Sequence, residues 1–275
     1  MTIDAHHHFW DYATEEYGWI PKDVIRKSFS PADLKPLIDK AKVDGVISVQ
    51  ARTELKENNF LLKYADENEW IKAVVGYVDL TRNDVFTTLA KLSEHKKFRA
   101  VREVLQGKDD DAYCLRDDFN RGISQLHDFG LVYDILIFHR HLPNSITFVD
   151  KHPNQIFVLD HVAKPEIRTT TPDPAWTKNM IELGKREHVF CKISGMVTEI
   201  RDREDWDIKL MKPYLDVALE AFGPDRLMFG SDWPVCLLES EYVRWNAAVK
   251  TMIADLSADE KADILGGTAV RAYSI

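Results

Sequence analysis

Cysteine is scarce in this 275-residue chain: Cys114, Cys191 and Cys236 are the only three, with no CxxC pair among them. A disulfide framework and a cysteine-built zinc site are therefore not expected, and a reducing, cytoplasmic setting is. Long apolar runs are missing too; a membrane-spanning helix needs roughly 20 apolar residues. The first residues carry neither the basic start nor the apolar stretch of a signal peptide. An excess of positive charge is lacking: 36 Lys and Arg face 45 Asp and Glu, a formal charge of −9. Nucleic acid and anionic membrane both require a concentrated basic surface, so neither is expected as a partner. The run GKDDDAY reads as a solvated loop. No low-complexity tract and no Pro/Gly/Ser linker divides the chain, so residues 1–275 are expected to form a single domain.

What is present is alternation. Short β-branched or apolar runs recur at 3–8, 44–50, 72–80, 98–106, 131–137, 155–162, 189–195 and 226–233. Between them lie amphipathic stretches with helix-start signals. In SPADLKPLIDKAK, Ser30 can cap, Pro31 suits the first helical position and Asp33 favours the positive end of the helix dipole. NDVFTTLAKLSEH, DDFNRGISQLHDFG and SADEKADILGGTAVRAY read the same way, the last with Ser257 and Glu260 placed as a capping box. Strand alternating with helix eight times predicts an α/β fold, the (β/α)₈ TIM barrel. Connections entering strands are terse, as in VDG, HKK, DFG and HPN. Those leaving strands are long, such as AKPEIRTTTPDP after the sixth. In such barrels the functional face lies at the carboxyl ends of the strands.

Each strand delivers polar residues to that face: His6 and His8, Gln50, Asp79, Arg102 or Glu103, Asp134 or His139, Asp160 and His161, Lys192 and Ser194, and Asp232. Any strand can end on a polar residue for structural reasons alone; the coincidence over eight strands is what points to a site. In TIDAHHHFWD, strand alternation puts His6 and His8 on one side and His7 on the other. Two neutral imidazoles on one face can ligate zinc, iron or manganese. Asp232 in FGSDWP reaches the same place from the last strand once the barrel closes. There it can bind a metal, take a proton from water, or serve as a turn residue. His161 in VLDHVAKP is a third ligand, a proton shuttle or a buried structural histidine. Arg102 offers a planar fork for a carbonyl or carboxylate, and Lys192 a point charge; either can instead be spent on an ion pair, Lys192 with Asp160 in particular. Phe9, Trp10, Tyr12, Tyr17, Trp19 and Trp233 supply aromatic faces of the kind on which a sugar stacks, or a loop packing on itself. His95, His127, His152 and His188 fall at the opposite end and read as structural.

Taken together, IDAHHHFWD, DGVISVQA, RAVREVLQ, VLDHVAKP, CKISGM and FGSDWPV resemble the amidohydrolase superfamily, and within it the lactonase branch that includes L-fuconolactonase-like and L-rhamnonolactonase-like enzymes. The similarity runs from the first strand to the last helix. It implies a (β/α)₈-barrel hydrolase opening the ester ring of a sugar-derived aldonolactone. His6, His8 and Asp232, with His161 as a further candidate, would hold one divalent ion, zinc in the first instance; metal-free catalysis is the alternative. Asp232, His161 and Arg102 would be catalytic, and Trp10, Gln50, Arg102, Lys192 and Trp233 would bind substrate. Binuclear members carry a carbamate-forming lysine at the end of strand four. Here Arg102 and Glu103 stand there, and Lys108 lies out in the loop, which argues against a second ion.

The expected partner is a small sugar lactone; oligomeric state is not legible. A decarboxylase of the same superfamily would use a similar donor set, and a non-catalytic barrel that merely binds a sugar acid is a third reading.

Overall fold

The structure, a computed structural model, describes residues 1–13, 16–20, 24–200 and 205–275. Parts of two of the long outgoing loops, at 14–15, 21–23 and 201–204, lie outside the described residues. Eight parallel strands follow one another in sequence order around one sheet: β1 (Ile3–His7), β2 (Gly45–Val49), β3 (Ile71–Gly76), β4 (Phe98–Val104), β5 (Val132–Leu136), β6 (Phe157–Leu159), β7 (Val189–Ile193) and β8 (Leu227–Phe229). All eight expected strands are present, several trimmed at their ends. The seam between last and first strands closes just beyond β8, where the Asp232 N–H donates to the His6 carbonyl at 2.8 Å and the His8 N–H to the Trp233 carbonyl at 2.7 Å. The architecture is the (β/α)₈ barrel that the alternation predicts.

The helices form where the start signals stand. Helix α1 (Pro31–Ala41) opens with Asp33 accepting from the Ser30 N–H at 2.8 Å, and it buries Leu34 and Ile38, one turn apart, against the barrel wall. Helices α2 (Lys56–Glu67), α3 (Val85–Ser93), α4 (Asp117–Leu126), α5 (Leu142–Asp150), α6 (Pro174–Gly184), α7 (Ile208–Phe222) and α8 (Tyr242–Met252) continue around the outside. The stretch 257–273, read from sequence as one helix, is instead α9 (Ala258–Ala262), a π turn (Asp263–Gly267) and α10 (Thr268–Tyr273). The break falls where Gly266 meets the chain start: a Cβ there would lie 2.2 Å from the Met1 carbonyl oxygen.

The barrel interior is small and aliphatic. Ile3, Ala5, Ile47, Val49, Ala73, Val75, Ala100, Val132, Val158 and Met228 form one buried cluster, stoppered by Ala269, Ala272 and Tyr273 of α10. A larger cluster lies mainly between the strands and the helices. Burying apolar surface on both faces of the sheet is what makes the strands read as near-continuous apolar runs. No helix among the described residues is long and apolar enough to cross a membrane.

Candidate active site

The first strand changes face partway. Asp4 pairs with Val46, but His7 pairs with Ser48, so three steps along β1 match two along β2. One extra residue sits in β1, and such a bulge exchanges the inward and outward sets. Below it Ile3 and Ala5 belong to the barrel interior; above it His6 and His8 take the interior side. His7 lies on the outer one, its Nε2 2.9 Å from the Ser48 hydroxyl and its ring against Phe9. Asp4 staples the slip, accepting from the backbone N–H of His6 at 3.1 Å and of Ser231 at 2.8 Å. Burial raises the Asp4 carboxyl to about 6.

At the carboxyl ends a compact network results. His6 Nε2 lies 3.2 Å from His8 Nε2 and 3.7 Å from Asp232 Oδ1, which is 3.3 Å from His8 Nε2. His8 Nδ1 is 2.8 Å from the Val49 carbonyl oxygen, a contact that requires an N–H, so in the neutral ring Nε2 carries the lone pair. Arg102 donates to Asp160 at 3.0 Å and to the Gln50 carbonyl at 2.5 Å, with Nη1 3.3 Å from His6 Nε2. Lys192 Nζ reaches Asp134 at 2.5 Å, Asp160 at 3.0 Å and His6 Nδ1 at 3.2 Å.

The electrostatics follow from burial and pairing. Burial pushes the His6 imidazolium well down, with Asp160 opposing, so the ring is neutral. Burial also works against charge on Asp160, yet Lys192, His6 and Arg102 outweigh it and hold its carboxyl well below the usual range. For Asp232 burial is likewise overcome, by His161, His8 and His6, and the carboxylate is ionised at neutral pH.

His161 owes its place to an unusual backbone. After β6 four successive residues, His161, Val162, Ala163 and Lys164, all adopt left-handed angles, with φ of 56°, 47°, 59° and 48°. Each such residue costs about 1 kcal/mol or more, so the turn must be held from outside. The Lys164 N–H donates to the His161 carbonyl at 2.8 Å, Trp176 Nε1 to the Val162 carbonyl at 2.9 Å, and Ser194 Oγ lies 2.8 Å from His161 Nδ1. Gly195 completes the cradle: its own φ is +63°, and a Cβ there would fall 2.5 Å from His161 Nδ1. Burial lowers the His161 imidazolium to about 4.

Above the network opens a cavity of about 370 Å³ to which His8, Gln50, Arg102, His161 and Asp232 contribute. Its rim carries paired charges: Arg52 with Glu57 at 2.7 Å, Lys108 with Glu103 at 3.3 Å, Lys164 with Glu199 at 3.7 Å. Three expected substrate contacts do not reach it. Lys192 is fully buried beneath the histidines, consumed by Asp134 and Asp160, and is a structural cation in place of the expected binder. Trp10 is 1% exposed, its indole N–H spent on the Lys27 carbonyl, and Trp233 is 1% exposed against Phe29. Among the described residues, the aromatic side chain at the cavity is Trp19, tethered to the Ala51 carbonyl at 3.0 Å. Among the other strand-end residues, Asp79 is engaged by the Thr81 hydroxyl at 2.6 Å, and His139 lies by the Lys164 carbonyl, away from the network.

A family model described as Amidohydrolase matches residues 3–275. The chain belongs to the amidohydrolase family. A curated L-fucono-1,5-lactonase of Burkholderia multivorans is 38% identical to this amidohydrolase over 290 residues, covering 100% of this chain and 96% of the relative. One of Burkholderia ambifaria is 34% identical over 279 residues, covering 99% and 95%. Among solved structures, an amidohydrolase from Burkholderia multivorans with bound zinc superimposes with a TM-score of 0.96 at 38% identity, covering 100% of this chain and 99% of that one.

The donor set of this amidohydrolase fits a metal ion. Ligand atoms on a tetrahedral zinc with bonds of about 2.0–2.1 Å lie roughly 3.3 Å apart, and the three separations among His6, His8 and Asp232 are 3.2, 3.3 and 3.7 Å. Two imidazoles and a carboxylate suit zinc in kind as well. A second grouping, His6 with Asp160 and His161, is close enough in space, but Lys192 and Arg102 occupy the two oxygens of Asp160. Strand β4 brings Arg102 to the network and contains no lysine. Sequence reasoning missed Asp4, Gly195, Arg52 and Lys164; a lone aspartate, a glycine and two surface-type cations carry no spacing signal that could have found them.

Proposed function

We propose that this amidohydrolase is a lactonase that opens an aldonolactone of the L-fucono-1,5-lactone type by water attack on the ring carbonyl. One observation carries the reading: an ionised carboxylate, Asp232, faces a polar cavity beside His8 and His161, with the Arg102 guanidinium alongside. That is a proton acceptor next to hydrogen-bond donors for an oxyanion, which is what ester hydrolysis demands. The cavity is of small-molecule size. Its charged rim and the aromatic face of Trp19 suit a polyhydroxylated ring, and the two curated lactonases of 34% and 38% identity support the substrate class.

In this reading Asp232 accepts a proton as the water oxygen bonds to the carbonyl carbon. The negative charge gathering on the carbonyl oxygen meets the N–H groups of Arg102, which Asp160 and the Gln50 carbonyl hold in a fixed fork. The bond from carbon to ring oxygen then breaks, and Asp232 returns its proton to that oxygen, giving the open-chain hydroxy acid. His161, neutral and held by Ser194, lies where it can relay that proton. A zinc ion bound by His6, His8 and Asp232 would supply a Lewis acid for the carbonyl.

The test is a screen of aldonolactones, including L-fucono-1,5-lactone and L-rhamnono-lactones, followed by a pH indicator that reports acid released on ring opening. Release of acid above the spontaneous rate is expected. Binding without acid release, or carbon dioxide release from an aromatic acid, would replace the reading by a binding barrel or a decarboxylase.

A further inference from the structure

Beneath the histidines the polar network continues to the floor of the barrel, where the proposed chemistry makes no use of it. Tyr273 of α10 is buried, its hydroxyl 2.9 Å from both carboxylate oxygens of Asp134. Asp134 Oδ2 accepts from Lys192 Nζ at 2.5 Å, and Lys192 reaches His6 Nδ1 at 3.2 Å and Asp160 Oδ1 at 3.0 Å. The ammonium also stands 5.5 Å from the centre of the Tyr273 ring. Neither Tyr273 nor Asp134 lines the cavity.

Packing alone does not explain the hydroxyl, since a phenylalanine would stopper the barrel as well as a tyrosine. What the hydroxyl does is give the buried Asp134 carboxylate a second donor. Buried carboxylate oxygens left without donors are costly. Without Tyr273 the remaining donor is Lys192, and Asp134 would draw the ammonium toward itself and away from His6 and Asp160. Lys192 Nζ now stands within 3.2 Å of all three partners, and that placement is what backs the ring of His6 from below.

We propose that Tyr273 is a positioning residue for the active site: by holding Asp134 through its hydroxyl it keeps Lys192 against His6 and Asp160, so the C-terminal helix sets the orientation of the His6 ring. The kinetic arm of the test rests on the lactonase reading; the spectroscopic arm does not.

The variant is Tyr273→Phe, with Ala272→Gly in the same helix as a packing control. Loss of an outer hydrogen-bond partner predicts a kcat lowered about tenfold with KM held within about twofold, whereas Ala272→Gly lowers the melting temperature and leaves kcat alone. In protein labelled with ¹⁵N-histidine the His6 ring-nitrogen resonances move in Tyr273→Phe and stay in place in Ala272→Gly. Because Tyr273 acts through Asp134, the double variant Tyr273→Phe/Asp134→Asn is no slower than Asp134→Asn alone. Unchanged His6 resonances, additive rate losses, or an altered KM with intact kcat would overturn the proposal. Should Tyr273→Phe not fold, Asp134→Asn replaces it in the kinetic and spectroscopic measurements, with the same expectations and the same overturning results. A wild-type chain that hydrolyses no lactone defeats the lactonase reading and not this one, which the ring resonances then decide.

Discussion

Ser194 Oγ lies 2.8 Å from His161 Nδ1, and the next residue, Gly195, leaves the space in which the imidazole sits. A single methyl tests that relationship. Gly195→Ala would put a Cβ 2.5 Å from His161 Nδ1 and force an alanine to a φ of +63°, so the ring must shift. A displacement of this kind costs on the order of a hundredfold in kcat, and the strained angle costs about 1 kcal/mol of stability. Steady-state kinetics and urea unfolding of the purified variant check both; a kcat within threefold of wild type would free His161 from any role.

The pH dependence follows from the same residue. Burial brings the His161 imidazolium from an ordinary 6.5 down to about 4, so the ring stays neutral across the physiological range. The stability linked to it is complete above pH 6.5 and is lost as pH falls through about 4, at up to about 1.4 kcal/mol per pH unit. Between pH 7 and 4 the wild type should lose roughly 3 kcal/mol more than His161→Gln in denaturant titrations. In activity, kcat/KM should stay level down to about pH 5 and fall only as His161 takes up its proton near 4. An acid limb near 6.5 would show that another group governs turnover.

Metal binding has its own prediction. With His6, His8 and Asp232 spaced for one ion, metal-free protein titrated with zinc should take up one equivalent tightly. It should gain melting temperature as it does so, since a ligand that binds only the folded state stabilises it. His8→Ala removes a donor whose geometry the Val49 carbonyl fixes, and should weaken zinc by a hundredfold or more while leaving the far end of the barrel intact. Equal uptake by wild type and His8→Ala in calorimetry would place the ion elsewhere.

How much of this was legible beforehand depends on the residue. The alternation of strand and helix, the carboxyl-end loops and the approach of Asp232 to the first-strand histidines all follow from spacing and strand order. That His6 and His8 share a face turned toward Asp232 was legible as well, but the means was not: it depends on a bulge between Asp4 and His7 that no composition signals. Without that bulge, His7 would have continued the inward series of Ile3 and Ala5. Lys192, Trp10 and Trp233 were assigned to substrate by residue type, yet depth in the barrel assigned them elsewhere: type says what a side chain can do and not whether a ligand can reach it. Trp19 reaches the cavity because its loop folds back onto the end of β2, where the Ala51 carbonyl takes its indole N–H. The left-handed turn at His161 is written only in the packing of β6 against β7.

The most direct measurement is turnover of L-fucono-1,5-lactone by Asp232→Asn, followed by acid release and accompanied by circular dichroism and a melting curve. The substitution keeps the shape beside His8 and His161 and removes the ionised proton acceptor. The expected result is a fall in kcat of about a thousandfold or more with a native spectrum and melting within a few degrees of wild type. A folded Asp232→Asn variant retaining kcat within tenfold of wild type would contradict the account.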